Sequence, residues 1–127
     1  MFTRIDHVEI VPSDFDRSYR FYTDVLGFEE WDRTEVNMPP LRKVVYVRLG
    51  DTMLELLDVE NVPGGVCQPF QLGYQAMALQ VDDMEKALAY LADKGYPCVW
   101  GPNPSNKGSI RAEIRDPDGL PVELRQW

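Results

Sequence analysis

The chain has 127 residues, of which 44% are hydrophobic and 27% charged, and a formal net charge of −8. This is the composition of one ordinary globular domain rather than a disordered chain. Its acidity argues against a nucleic-acid partner, because phosphate binding needs clustered Lys and Arg. Apolar runs such as Val44-Val45-Tyr46-Val47 fall far short of a membrane span, and the opening residues 1–7 lack the apolar stretch of a secretory signal. The expected location is therefore cytoplasmic, with no membrane partner. Cys67 and Cys98 show no metal-ligand spacing and are expected to be free thiols.

Residues 4–11 read as a strand, with Val8 and Ile10 on one face and Ile5, His7, Glu9 and Val11 on the other. Pro12-Ser13-Asp14 ends it, and Ser13 followed by Asp16 resembles a capping box. Phe15, Tyr19, Tyr22 and Leu26 then recur at helical spacing, and Gly27 suits the left-handed residue that closes a helix. A Pro39-Pro40 break precedes a strand at about 43–49, a turn at Gly50-Asp51 and a returning strand at 52–58. A linker, 59–75, is rich in Pro and Gly. A strand at 76–81 follows, with Met77, Leu79 and Val81 on one face. Asp82 and Glu85 give a second cap signal, and Met84, Ala87, Leu88 and Leu91 form a helical stripe closed by Gly95. Residues 101–108 read as a polar loop. Strands at about 109–115 and 121–126 are joined by Asp116-Pro117-Asp118-Gly119.

The order repeats in register. An offset of 69 relates His7 to Ala76 and Gly50 to Gly119, and one of 68 relates Leu54-Glu55-Leu56 to Val122-Glu123-Leu124. An internal repeat implies two copies of one supersecondary unit. The expected fold is α+β: two tandem βαβββ modules forming a cupped mixed sheet, with helices on the outer face. Module one is 1–58 and module two 76–127 of a single 127-residue domain.

Strand parity selects the residues of the concave face. With Val8, Ile10, Leu54, Leu56, Val122 and Leu124 packed under the helices, His7, Glu9, Glu55, Glu123 and Arg125 point the other way. One imidazole and two carboxylates, His7, Glu55 and Glu123, make a reasonable set for a divalent metal with an open position. Two bare carboxylates in a pocket would otherwise need a proton or an Arg such as Arg125 or Arg111. A histidine on a strand and a glutamate between leucines are individually commonplace; their shared face and repeat-related positions carry the reading. Parity also places Tyr46 with Arg48, and Arg111 with Glu113. Glu113 or Glu9 is a candidate general base, and Arg111 a candidate partner for an anionic substrate group. Phe70 and Trp100 flank loops and are candidates to stack on a flat ligand.

Ile5-Asp6-His7-Val8, Phe21-Tyr22 with Leu26-Gly27-Phe28, Leu54-Glu55-Leu56, and Asp116-Pro117-Asp118-Gly119 with Val122-Glu123-Leu124 together resemble the vicinal oxygen chelate superfamily. That superfamily comprises the glyoxalase, bleomycin-resistance and extradiol dioxygenase proteins. The resemblance implies a homodimer and a metal site drawn from the first, fourth, fifth and eighth strands, here His7, Glu55, Ala76 and Glu123. Alanine at 76 replaces a usual His and weakens the site. A divalent ion such as zinc, nickel, manganese or iron remains possible there. With a single His in the chain, the two-His iron chemistry of the dioxygenases is not expected. Val11 and Val59 stand where glutathione-gripping residues would be, which argues against that thiol as substrate. The expected function is a metal-dependent lyase or isomerase acting on a small molecule through an enediolate-like intermediate. The alternative is a metal-free binding protein of the bleomycin-resistance type that sequesters its ligand.

Overall fold

A computed structural model describes residues 1–65, 68 and 70–127. Cys67 lies outside the described residues; Cys98 is a free thiol. The chain divides into two compact units, Met1–Gly64 and Gly65–Trp127. Among the described residues, no helix is long and apolar enough to cross a membrane.

The first unit contains β1 (Val8–Ile10), α1 (Phe15–Arg20), β2 (Glu29–Met38), β3 (Leu41–Leu49) and β4 (Thr52–Val59). The second contains β5 (Met77–Gln80), α2 (Met84–Asp93), β6 (Trp100–Pro104), β7 (Ile110–Arg115) and β8 (Pro121–Gln126). Each unit is therefore βαβββ, and each forms a mixed four-stranded sheet, in the orders β1-β4-β3-β2 and β5-β8-β7-β6. The outer pair is parallel in both cases: Glu9 lies opposite Glu55 on β1 and β4, and Ala78 lies opposite Glu123 on β5 and β8. The fold is α+β, as the repeat implied, and His7 and Ala76 stand just before equivalent strands.

The core follows the alternation. Val45, Val47, Leu54 and Leu56 are buried with Phe15, Phe21 and Tyr22 in the first unit, and Ala112, Ile114, Val122 and Leu124 with Met84 and Leu91 in the second. Each hairpin thus sets its alternate residues against a helix and leaves the remainder on the opposite face. One inward assignment fails: Val8, the first residue of the three-residue edge strand β1, is 41% exposed.

Several boundaries differ from expectation. The first strand shortens from 4–11 to three residues. Beyond Arg20 the first helix widens into a π-type turn over Phe21–Val25. The extra residue in that turn shifts the buried stripe, so Phe21 is buried as well as Tyr22. The helix caps are Asp14 and Asp83, not Ser13 and Asp82. Their carboxylates accept from Arg17 N at 3.0 Å and Lys86 N at 3.1 Å. Each cap lies one residue later because that residue has extended backbone and a side chain that reaches the third amide ahead. The span 101–108 is not all loop: Trp100–Pro104 is an edge strand paired with β7. Its Pro-rich sequence is tolerated because an edge strand has one unpaired side.

Candidate functional site

In the first unit, β1 brings His7 and Glu9 beside the buried Glu55 of β4. His7 Nε2 lies 3.0 Å from Glu55 Oε2 and 3.7 Å from Glu9 Oε1. His7 Nδ1 lies 2.7 Å from Asp6 Oδ1. Both ring nitrogens thus face carboxylates, which only accept hydrogen bonds when ionised. The Asp6 hydrogen bond raises the His7 pKa above its ordinary value; burial opposes this, and the charges of Glu55, Asp6 and Glu9 reinforce it.

Tyr46, directly opposite Glu55 on β3, packs edge-on to His7 with ring centroids 5.2 Å apart. Its hydroxyl hydrogen-bonds the Glu55 carboxylate, and this bond, together with burial and the neighbouring negative charge, raises the phenol's pKa. Tyr46 therefore remains a donor at neutral pH and fixes the Glu55 rotamer. Arg48 is exposed and lies across from Glu29, further along the same strand.

One donor atom each from His7, Glu9 and Glu55 can be chosen so that all lie within 4.8 Å of one another. Among the described residues no other trio of His, Cys, Asp and Glu does so. An imidazole and two carboxylates are donors that zinc, nickel, manganese or iron(II) accept.

In the second unit, Glu123 lies on β8 and is held by Arg125, whose Nη2 and Nε approach its Oε1 at 2.8 and 3.0 Å. Glu113, opposite Glu123 on β7, is engaged by Arg115. Arg111 lies over the Trp100 ring, 5.3 Å from its centroid. Phe70 is 93% exposed, with its backbone amide donating to Gln75 Oε1. Ala76 is exposed and offers no donor.

Two residues of this neighbourhood were not singled out from the sequence. Asp6 was visible only as part of a motif. Trp31 sits in a bulge of β2, between the pairs Glu30–Val47 and Asp32–Tyr46. The bulge turns its ring toward Tyr46, 6.5 Å away and edge-on. A signal did exist: the offset of 69 that relates His7 to Ala76 also relates Trp31 to Trp100, and β6 carries its own register shift immediately after Trp100.

A family model described as the Glyoxalase/Bleomycin resistance protein/Dioxygenase superfamily matches residues 4–124. The chain belongs to this superfamily. Within the glyoxalase superfamily it is similar to a lactoylglutathione lyase of Salmonella typhimurium, with 31% identity over 124 residues, 95% of this chain and 90% of that one. Among solved structures it resembles a glyoxalase family protein from Enterococcus faecalis (28% identity, TM-score 0.80, 98% of each chain). It also resembles the trypanothione-dependent glyoxalase I of Leishmania major (26% identity, TM-score 0.78, covering 98% of this chain and 87% of that one).

Proposed function

We propose that the protein is a glyoxalase-like, metal-dependent lyase or isomerase that acts on a small oxygenated metabolite through an enediolate-like intermediate. The observation that carries this reading is the setting of His7. Its Nδ1 is engaged by Asp6 while Nε2 faces Glu55 and Glu9. A ligating histidine characteristically donates its other N–H to a carboxylate, which fixes the tautomer and the ring orientation. His7 and Glu55 would hold a divalent ion, with Glu9 within reach of the same point. Such an ion would supply Lewis-acid stabilisation of charge developing on two neighbouring substrate oxygens.

The chain's own residues have separable tasks. Asp6 orients His7, and Tyr46 orients Glu55. Glu9, whose side chain is 57% exposed, is the carboxylate best able to take a proton from a carbon next to a carbonyl. Glu113 is the second candidate base, but its carboxylate is engaged by Arg115. Trp31 and Tyr46 offer flat apolar surface beside the donors. By family resemblance the working form is a homodimer.

Ala76 favours a second reading, a metal-free protein that sequesters its ligand. Titration calorimetry with zinc, nickel, manganese and iron(II) on protein purified without chelator separates the two. The enzyme reading expects saturable binding by the wild type, weakened in Glu55→Gln and strengthened in Ala76→His. No binding by the wild type to any of the four, with tight binding by Ala76→His, would leave the sequestering protein as the better account.

A further inference from the structure

The second unit places a positive charge, that of Arg111, for which no carboxylate partner is found among the described residues. Arg111 on β7 and Arg125 on β8 are directly opposed in the antiparallel ladder, a pairing in which like charges repel. Arg125 is compensated by Glu123. Arg111 is not: Glu113, its neighbour along the strand, is committed to Arg115, and Trp100 offers only its ring face. Arg111 Nε is buried and has no hydrogen-bond partner among the described residues, so that part of the guanidinium's donor capacity is unused.

The two arginines also line a concavity of about 270 Å³, together with Ser105, Asn106 and Lys107. The loop bearing Lys107 is folded against the strands by Ser105. The Ser105 and Ser109 hydroxyls lie 2.6 Å apart, Ser105 Oγ accepts from Ser109 N at 3.2 Å, and Ser105 N donates to Ser109 O at 2.7 Å. Three of the five lining residues are cationic and none is acidic, in a chain whose net charge is −8.

We propose that this concavity is an oxyanion-binding subsite, which holds a carboxylate or a phosphate of a small molecule between Arg111, Arg125 and Lys107. The guanidinium forks suit either group. Asn106 and Ser105 supply further polar atoms at the rim. The inference deepens the proposed function in one respect, which rests on that reading: the substrate carries an anionic group. Arg125 is two residues from Glu123 on the same face of β8, a same-face step of roughly 7 Å, so the anion would anchor the substrate one step along the strand from a candidate ligand.

The test is a titration of the full-length, ¹⁵N-labelled protein with inorganic phosphate and, separately, with acetate, at constant ionic strength in sodium chloride, followed on the side-chain Nε–Hε signals of the arginines. The expected result is a saturable shift of the Arg111 signal with at least one of the two anions. Phosphate alone would identify a phosphate ester as the preferred group, and acetate a carboxylate. Binding followed through the Arg125 signal and the loop amides should weaken about tenfold or more in Arg111→Gln, the scale of one lost charge-assisted contact. Lys107→Gln, on a surface loop, should weaken it without risk to the fold, and Lys86→Gln, on α2, should leave it unchanged. Non-saturating shifts with both anions, or wild-type affinity in both site variants, would overturn the proposal. Metal titration of the same samples reports on the first unit separately, so loss of either result leaves the other standing.

Discussion

Asp6 has a side chain that is 93% exposed, yet it is the largest influence on His7. If its role is to present His7 Nε2 as a donor, Asp6→Asn should lower metal affinity about 10- to 100-fold, the usual cost of losing an outer-shell carboxylate. Calorimetry measures this, and unchanged affinity would remove Asp6 from the site. A second carboxylate acts on stability instead. Glu30 accepts from Arg33 Nη2 at 2.6 Å and Nε at 3.1 Å, and this pairing holds its carboxyl below the ordinary value of 4.5. A depressed carboxylate stabilises the fold above its unfolded pKa and loses that contribution as pH falls through the folded one. The pair is about a third exposed, so its worth is small, about 0.5 kcal/mol. Urea unfolding should show wild type above Glu30→Gln by roughly that amount at neutral pH, with the gap closing well below 4.5. A gap that persists in acid would assign the effect to packing.

The two helices begin at equivalent aspartates, and the caps make a paired prediction. Asp14→Ala and Asp83→Ala should each cost about 1 kcal/mol, whereas Ser13→Ala and Asp82→Ala should be near neutral; thermal or urea unfolding decides between the two registers. The elements that were legible in the sequence are those whose pattern is imposed by the core. β3, β4, β7 and β8 alternate because one face of each is buried, and both helices show their stripe. β2 was not placed because nine of its ten residues are exposed: Glu-Glu-Trp-Asp-Arg-Thr-Glu carries no apolar alternation. β6, read as loop, is likewise exposed throughout. Such edge strands form because a neighbouring strand offers hydrogen bonds, information that lies in β3 and β7 rather than in the edges themselves. The same blindness hid Trp31, since a ring aimed by a bulge cannot be found before the strand is. His7 and Glu55 were legible because parity on β1 and β4 needs no tertiary information.

At the scale of the whole chain, large apolar side chains remain in water: Val11 43%, Trp31 58%, Val99 52% and Trp127 61% exposed. Burial of such surface is worth roughly 25 cal/mol per Å², enough to favour self-association. We expect sedimentation at micromolar concentration to show a homodimer; a monomer there would mean that these residues serve ligands or other partners instead.

The matched register of the two units has a consequence for how such a site arises. Glu9 faces Glu55 across one parallel pair, and Ala78 faces Glu123 across the other; His7 and Ala76 precede the same strand in each. One backbone therefore occurs twice in a single molecule, once with His7, Glu9 and Glu55 and once with Ala76, Ala78 and Glu123 at the matching places. The second copy keeps only the Glu123 carboxylate and forms the same four-stranded sheet, so the donors at the positions of His7 and Glu9 are passengers on the architecture rather than its supports. Chemistry on this scaffold can be erased or rewritten by side-chain replacement alone, with no change to the strand pairing that carries it.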